Sequence, residues 1–138
     1  MSPASGVLEL LADWATVEMS RAEVFRAHAE WRARFVRGSP RQLANYDWHL
    51  FTFDHHPSFT GESARRRYRA VQREGQLSVV SAWNRKPFGL FVGGGGLPDL
   101  ECKIDLLIFD ESLSWTMALT HSGHGPFFAV AREPDLVE

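Results

Sequence analysis

The chain has one cysteine, Cys102, among its 138 residues. A lone cysteine forms no intramolecular disulfide and no cysteine-rich zinc site, so a reducing compartment is expected. Long apolar runs are also missing. A bilayer-spanning helix needs about 20 apolar residues, and even the stretch Ile104 to Phe109 contains Asp105. The first residues, Met1 to Asp13, place no basic segment ahead of their apolar positions, which Glu9 and Asp13 interrupt, so no signal peptide is expected. No sign of charge dominates: 15 Lys and Arg oppose 17 Asp and Glu, a formal net of -2. That balance offers no global attraction to nucleic acid or to an anionic membrane. Together these absences predict a cytoplasmic protein.

The motifs of several enzyme classes are absent as well. Gly93 to Gly96 invites a phosphate-loop reading, but no Gly-Lys-Ser or Gly-Lys-Thr follows, no Gly-x-Gly-x-x-Gly is present, and Leu97-Pro98-Asp99 does not open a helix. A flexible connection is the better account. There is no His-Glu-x-x-His and no Gly-x-Ser-x-Gly, which removes the best-marked metalloprotease and hydrolase signatures.

What is present is enough apolar material for a core. Residues of hydrophobic type make up 44% and charged residues 23%, and a chain of this length buries roughly two-thirds of its unfolded surface. A single domain over residues 1–138 is expected, of class α+β, with N-terminal helices packed on a mostly antiparallel sheet in the order α-α-β-α-β-β-β-β-β. A short helix is predicted from Val7 to Trp14. A longer one starts after Ser20, because Ser20-Arg21-Ala22-Glu23 has the form of a capping box. Val24, His28, Trp31 and Phe35 recur at helical steps, with Phe25 beside them, until Gly38 and Pro40. Trp48 to Phe53 is too short for a helix and is read as a strand. From Gly61, Ala64, Tyr68 and Val71 share a helical face that stops at Gly75, and Arg65 to Arg67, Arg69 and Arg73 make this segment locally basic. Strands are then predicted at Leu77 to Trp83, Phe88 to Val92, Lys103 to Phe109, Ser114 to Thr120 and Phe127 to Ala131. Asp110 to Leu113 is a hairpin connection, so its flanking strands are antiparallel.

Histidine is the residue to examine for chemistry, since imidazole serves as ligand and as general base near neutral pH. His49, His55 and His56 fall in one segment, and His121 and His124 in another. If these segments met, Asp54, Asp105 or Asp110 would complete a mixed histidine and carboxylate site. Adjacent His55 and His56 point to opposite sides of an extended chain, however, and no ligand spacing recurs. Structural roles at strand ends are preferred, and no metal or cofactor is assigned. Tryptophan gives a second guide, with Trp48, Trp83 and Trp115 beginning or ending predicted strands, where an exposed ring would line a cleft. The residues selected as the rim of a ligand or partner cleft are therefore Trp48, His49, Trp115, His121 and His124.

The succession Trp48-His49-x-Phe51-Thr52-Phe53, Gly61-x-x-Ala64, Asp105, Asp110, Ser114-Trp115-Thr116, Thr120-His121 and Gly125-Pro126-Phe127-Phe128 resembles the DUF4275 family of small bacterial proteins. The resemblance covers roughly Trp48 to Ala131. It implies a compact bacterial domain and assigns no catalytic or ligand residue. The Gly93 to Gly96 loop and the arginine-rich helix face depart from it.

Small size, many aromatics, balanced charge and the lack of an intact catalytic motif favour a noncatalytic binding module, immunity-like or regulatory, that holds a protein partner. The alternative is a small enzyme or metal-binding protein using a His and Asp cluster in a Trp-lined cleft. Exposed sheet edges are compatible with a homodimer, and the arginine run without interleaved aromatics is read as a solvated helix face rather than a nucleic-acid surface.

Overall fold

A computed structural model describes residues 3–36, 51, 57–82, 87–94, 96–98, 104–121 and 125–131. Helix α1 (Pro3–Leu10) is followed by strand β1 (Thr16–Glu18), helix α2 (Arg21–Phe35), strand β2 (Phe59–Thr60) and helix α3 (Gly61–Ala70). Strands β3 (Leu77–Ser81), β4 (Gly89–Val92), β5 (Leu106–Asp110), β6 (Trp115–Leu119) and β7 (Phe127–Val130) complete the elements among the described residues. All seven strands join one sheet, ordered β1-β4-β3-β5-β6-β7-β2, and every pairing is antiparallel. The fold class is α+β, as expected.

Helix α2 begins where its capping box requires. Ser20 Oγ accepts from the Glu23 backbone N–H, and the Glu23 carboxylate accepts from Ser20 N–H at 2.8 Å. The helix ends at Phe35, three residues before the glycine expected to stop it. Its buried stripe is Val24, Ala27, His28, Trp31 and Phe35, whereas Phe25 faces solvent. Two expectations about element order change. The three-residue edge strand β1 lies between the first two helices, where no strand is predicted; it forms because Thr16 to Glu18 pair with Leu90 to Val92. Phe51, the described residue of the predicted strand Trp48 to Phe53, has helical backbone, and its ring packs edge-on to Trp31 and against Phe127. The other residues of that predicted strand lie outside the described residues.

Alternation along the strands divides the core into two layers. Val80, Leu107, Phe109, Ala118, Phe127 and Ala129 pack with α2 on one face. Leu77, Val79, Leu106, Ile108, Met117 and Phe128 pack with α1 and α3 on the other. Helices therefore cover both faces of the sheet, and the central strands β5 and β6 are buried along their whole length. Gly89 makes room for the Met19 side chain just ahead of α2 and for Val80 of β3, since a Cβ there would stand 2.6 Å from Met19 Sδ and 2.9 Å from Val80 Cγ1. Among the described residues no helix is long and apolar enough to cross a membrane.

Polar groups inside this core are paired. His28 Nε2 lies 2.7 Å from the Ser81 carbonyl; a carbonyl only accepts, so the imidazole donates and fastens α2 to β3. Trp31 Nε1 donates to Thr116 Oγ1 at 3.0 Å, and that hydroxyl donates to the Ile108 carbonyl at 3.1 Å. Replacing Thr116 by Val keeps its shape and leaves the buried indole N–H without an acceptor. Thr116→Val is expected to lower unfolding free energy by about 1–3 kcal/mol in urea denaturation, and Thr116→Ser to lower it by less.

Candidate functional site

One of the histidines singled out from sequence is held by a carboxylate. Register Leu106↔Leu119 places the residue before β5 beside the residues after β6. His121 N–H donates to Asp105 Oδ1 at 3.0 Å, and His121 Nδ1 lies 2.9 Å from both carboxylate oxygens. Asp105 is tied in turn to β3, because its carbonyl accepts from Ala82 N–H at 2.8 Å. The His121 side chain is 48% exposed and that of Asp105 11%. Since Nδ1–H is directed at the carboxylate, Nε2 is the basic nitrogen of the neutral ring, the arrangement that serves a general base or a metal ligand. A metal site needs more than this pair. Among the described residues no group of three or more His, Cys, Asp or Glu side chains is arranged to hold an ion.

Trp115, another residue of the predicted rim, is buried. Its ring stacks on Phe128 and meets Tyr68 edge-on. It stands at the start of β6 and His121 beyond its end, about 20 Å apart at ~3.3 Å per residue. The structure does not bring these two together. Trp48, His49 and His124 lie outside the described residues, as do Asp54, His55, His56, Trp83 and Cys102. Asp110 is engaged by four donors: Trp115 Nε1 and Glu74 N–H reach Oδ2, and Ser112 N–H and Oγ reach Oδ1. That carboxylate fixes the turn between β5 and β6.

The glycine loop has the polarity opposite to a phosphate cradle. Arg73 Nη1 donates to the carbonyls of Gly96 at 3.1 Å and Gly93 at 3.4 Å, Nη2 donates to that of Val92, and Nε to that of Gly75 at 2.9 Å. Carbonyls, not N–H groups, converge here, and the cation they hold belongs to the chain. Arg73 thus anchors the loop that a flexible reading leaves free.

A groove that the sequence does not announce lies beside α2. Register pairs Ser78 with Phe91 on one side and with Phe109 on the other, so the three side chains form one row across β4, β3 and β5 on the α2 face. Neighbouring strands lie about 4.8 Å apart, and the small Ser78 between two rings leaves a trough. Its volume is about 320 Å³, walled by Glu23, Arg26, Ala27 and Glu30 of α2 and closed at one end by Gln76, Glu111 and Leu113. The Glu23 carboxyl is held below the usual carboxylate range by the Ser20 backbone N–H, then by the Ser20 hydroxyl. It therefore stays ionised, and the cap that it forms stays intact, until the pH falls through that lowered value. Glu23, Glu30 and Glu111 against Arg26 give the walls an acidic balance.

No known family profile matches the chain, and neither the characterised proteins nor the solved structures compared with it contain a significant match.

Among the described contacts the Asp105 carboxylate holds the His121 backbone N–H as well as its ring, and His121→Ala removes the ring contact alone, so the two substitutions differ. Asp105→Ala is expected to lower stability by about 1–2 kcal/mol, and His121→Ala by less than about 1 kcal/mol, as befits a half-exposed partner. Chemical denaturation of the two variants checks the order. A larger loss for His121→Ala contradicts the loop-holding role given to Asp105.

Proposed function

We propose that this chain is a noncatalytic protein-binding module, of the immunity-like or regulatory kind expected of a small bacterial domain, and that it takes its partner in the groove between α2 and strands β4, β3 and β5. The observation that carries this reading is the row Phe91, Ser78, Phe109, an apolar floor kept open by one small residue beneath an acidic wall. Such a trough suits a lysine or arginine side chain projecting from a partner, with its methylenes on the rings and its charge among the carboxylates. The lone cysteine is consistent with a cytoplasmic setting. The buried polar groups support the noncatalytic half of the proposal, since His28 and Asp110 are engaged by backbone and neighbouring side chains.

The His121 and Asp105 pair favours a second reading, a small enzyme in which Asp105 orients the imidazole for proton transfer. It requires a substrate pocket at that end of the sheet.

The first reading is tested by peptide display against the native chain, each recovered binder then being measured on Ser78→Leu, which fills the trough and is expected to cost at most about 1–3 kcal/mol of stability. Recovered sequences are expected to be enriched in Lys or Arg flanked by apolar residues and to lose binding to Ser78→Leu. A selection that yields binders indifferent to Ser78→Leu sinks the groove as the binding site.

A further inference from the structure

The surface on the opposite face of the sheet carries the other sign of charge and is equally built. Helix α3 holds four arginines, Arg65, Arg66, Arg67 and Arg69, against one acidic residue, Glu62. Because Ala64 and Tyr68 are its buried residues, Arg66, Arg67 and Arg69 face outward. The aromatic that sequence spacing does not supply comes from a neighbouring element. Phe59 of β2 pairs with Phe128 and so shares its face, the α3 side of the sheet. The Arg67 guanidinium lies 4.3 Å from the Phe59 ring centroid. Val130 stands two residues along from Phe128 and therefore on the same face, where it is 57% exposed; Phe59 is 37% exposed. Pro57, two residues ahead of Phe59, is exposed as well. The result is an apolar ledge of Pro57, Phe59 and Val130 along the sheet's β2 edge, bordered by arginines.

From this juxtaposition we infer that α3 and the β2 edge form a second docking surface, whose occupant is an extended acidic segment of a protein partner. Charge complementarity sets the sign of that segment. The ledge sets its other requirement, apolar side chains alternating with the carboxylates, since an extended chain presents alternate residues to a surface. β2 is the terminal strand of the sheet, so such a segment lies parallel to an edge that already presents strand geometry. A nucleic acid would use the arginines but would leave Val130 and Pro57 unmatched. The inference is independent of the groove on the other face.

The test is fluorescence anisotropy with a labelled peptide that alternates Glu and Leu, compared with a peptide that alternates Lys and Leu and with single-stranded oligouridine. The Glu and Leu peptide is expected to bind, to weaken as salt rises, and to lose roughly tenfold or more in affinity on Arg66→Glu with Arg67→Glu, a change of ~1.4 kcal/mol spread over two exposed charges. Val130→Thr, which keeps the shape of an exposed side chain, is expected to weaken binding several-fold, whereas Ser78→Leu in the groove leaves it unchanged. If the double reversal alters the circular dichroism spectrum, Arg66→Gln with Arg67→Gln takes its place and is expected to weaken binding in the same direction. Equal binding by the Lys and Leu peptide, an unchanged affinity in the arginine variants, or absence of binding by the native chain overturns the inference. Tighter binding of oligouridine than of the acidic peptide, sensitive to the same arginines, overturns it in favour of a nucleic-acid surface.

Discussion

Strands β5 and β6 bury every side chain on both faces of the sheet, and much of the structure follows from that double burial. An antiparallel sheet usually leaves one face to water; this one needs a helix layer on each side. Helix α2 supplies one layer, α1 and α3 the other. Any polar side chain caught between the layers must find a partner, because an unpaired buried group costs about 1–3 kcal/mol. His28, Trp31 and Thr116 meet that demand on the α2 side, and Asp110 with Trp115 meets it on the other. Among the described residues, His28 and Asp110, whose types suggest chemistry, are thus absorbed into holding the fold together. The accessible chemistry among the described residues lies at the perimeter: the His121 and Asp105 pair at one end of the sheet, the trough beside α2, and the arginine face of α3.

The same burial explains what the sequence made legible. Strands β3 to β7 stand out as short apolar runs such as Leu106 to Phe109, and the capping box locates the start of α2. Strand β1 gives no comparable signal. Three residues with Val17 exposed have little burial to declare, and their conformation is set by pairing with β4, far along the chain. Phe51 shows the converse error: aromatic density in a short run reads as strand, whereas that ring serves a packing role from helical backbone. His121 and Asp105 were both visible as candidates, but so was Asp110. Only the pairing of β5 with β6 decides between the two aspartates, since they stand at opposite ends of β5. The trough was not visible at all. Ser78, Phe91 and Phe109 come from three strands, and nothing local to any of them states that they share a row.

Net charge is a poor guide to partners for a related reason. The formal value of -2 averages an arginine-rich helix with a carboxylate-lined trough. Those features lie on opposite faces, separated by the sheet and by helices that are each about 10 Å across. Electrostatic influence between exposed charges falls off over about 8 Å at physiological ionic strength, so each face presents its own sign to an approaching molecule. Global balance gives no overall attraction toward a uniformly charged partner, and it is silent on local complementarity.

Two surfaces of opposite sign on the two faces of one sheet would also constrain how a partner is read. Charge at an interface contributes more to orientation and to the rejection of wrong partners than to raw affinity. If the two surfaces take partners as proposed, a basic side chain is repelled by the α3 face and favoured by the trough, while an acidic segment meets the reverse. A partner bearing both signs consequently has one way to engage both faces, and one bearing a single sign has one face to engage. On that proposal selectivity comes from the placement of a few charges around a core in which His28, Trp31, Thr116 and Asp110 are occupied in holding its elements together.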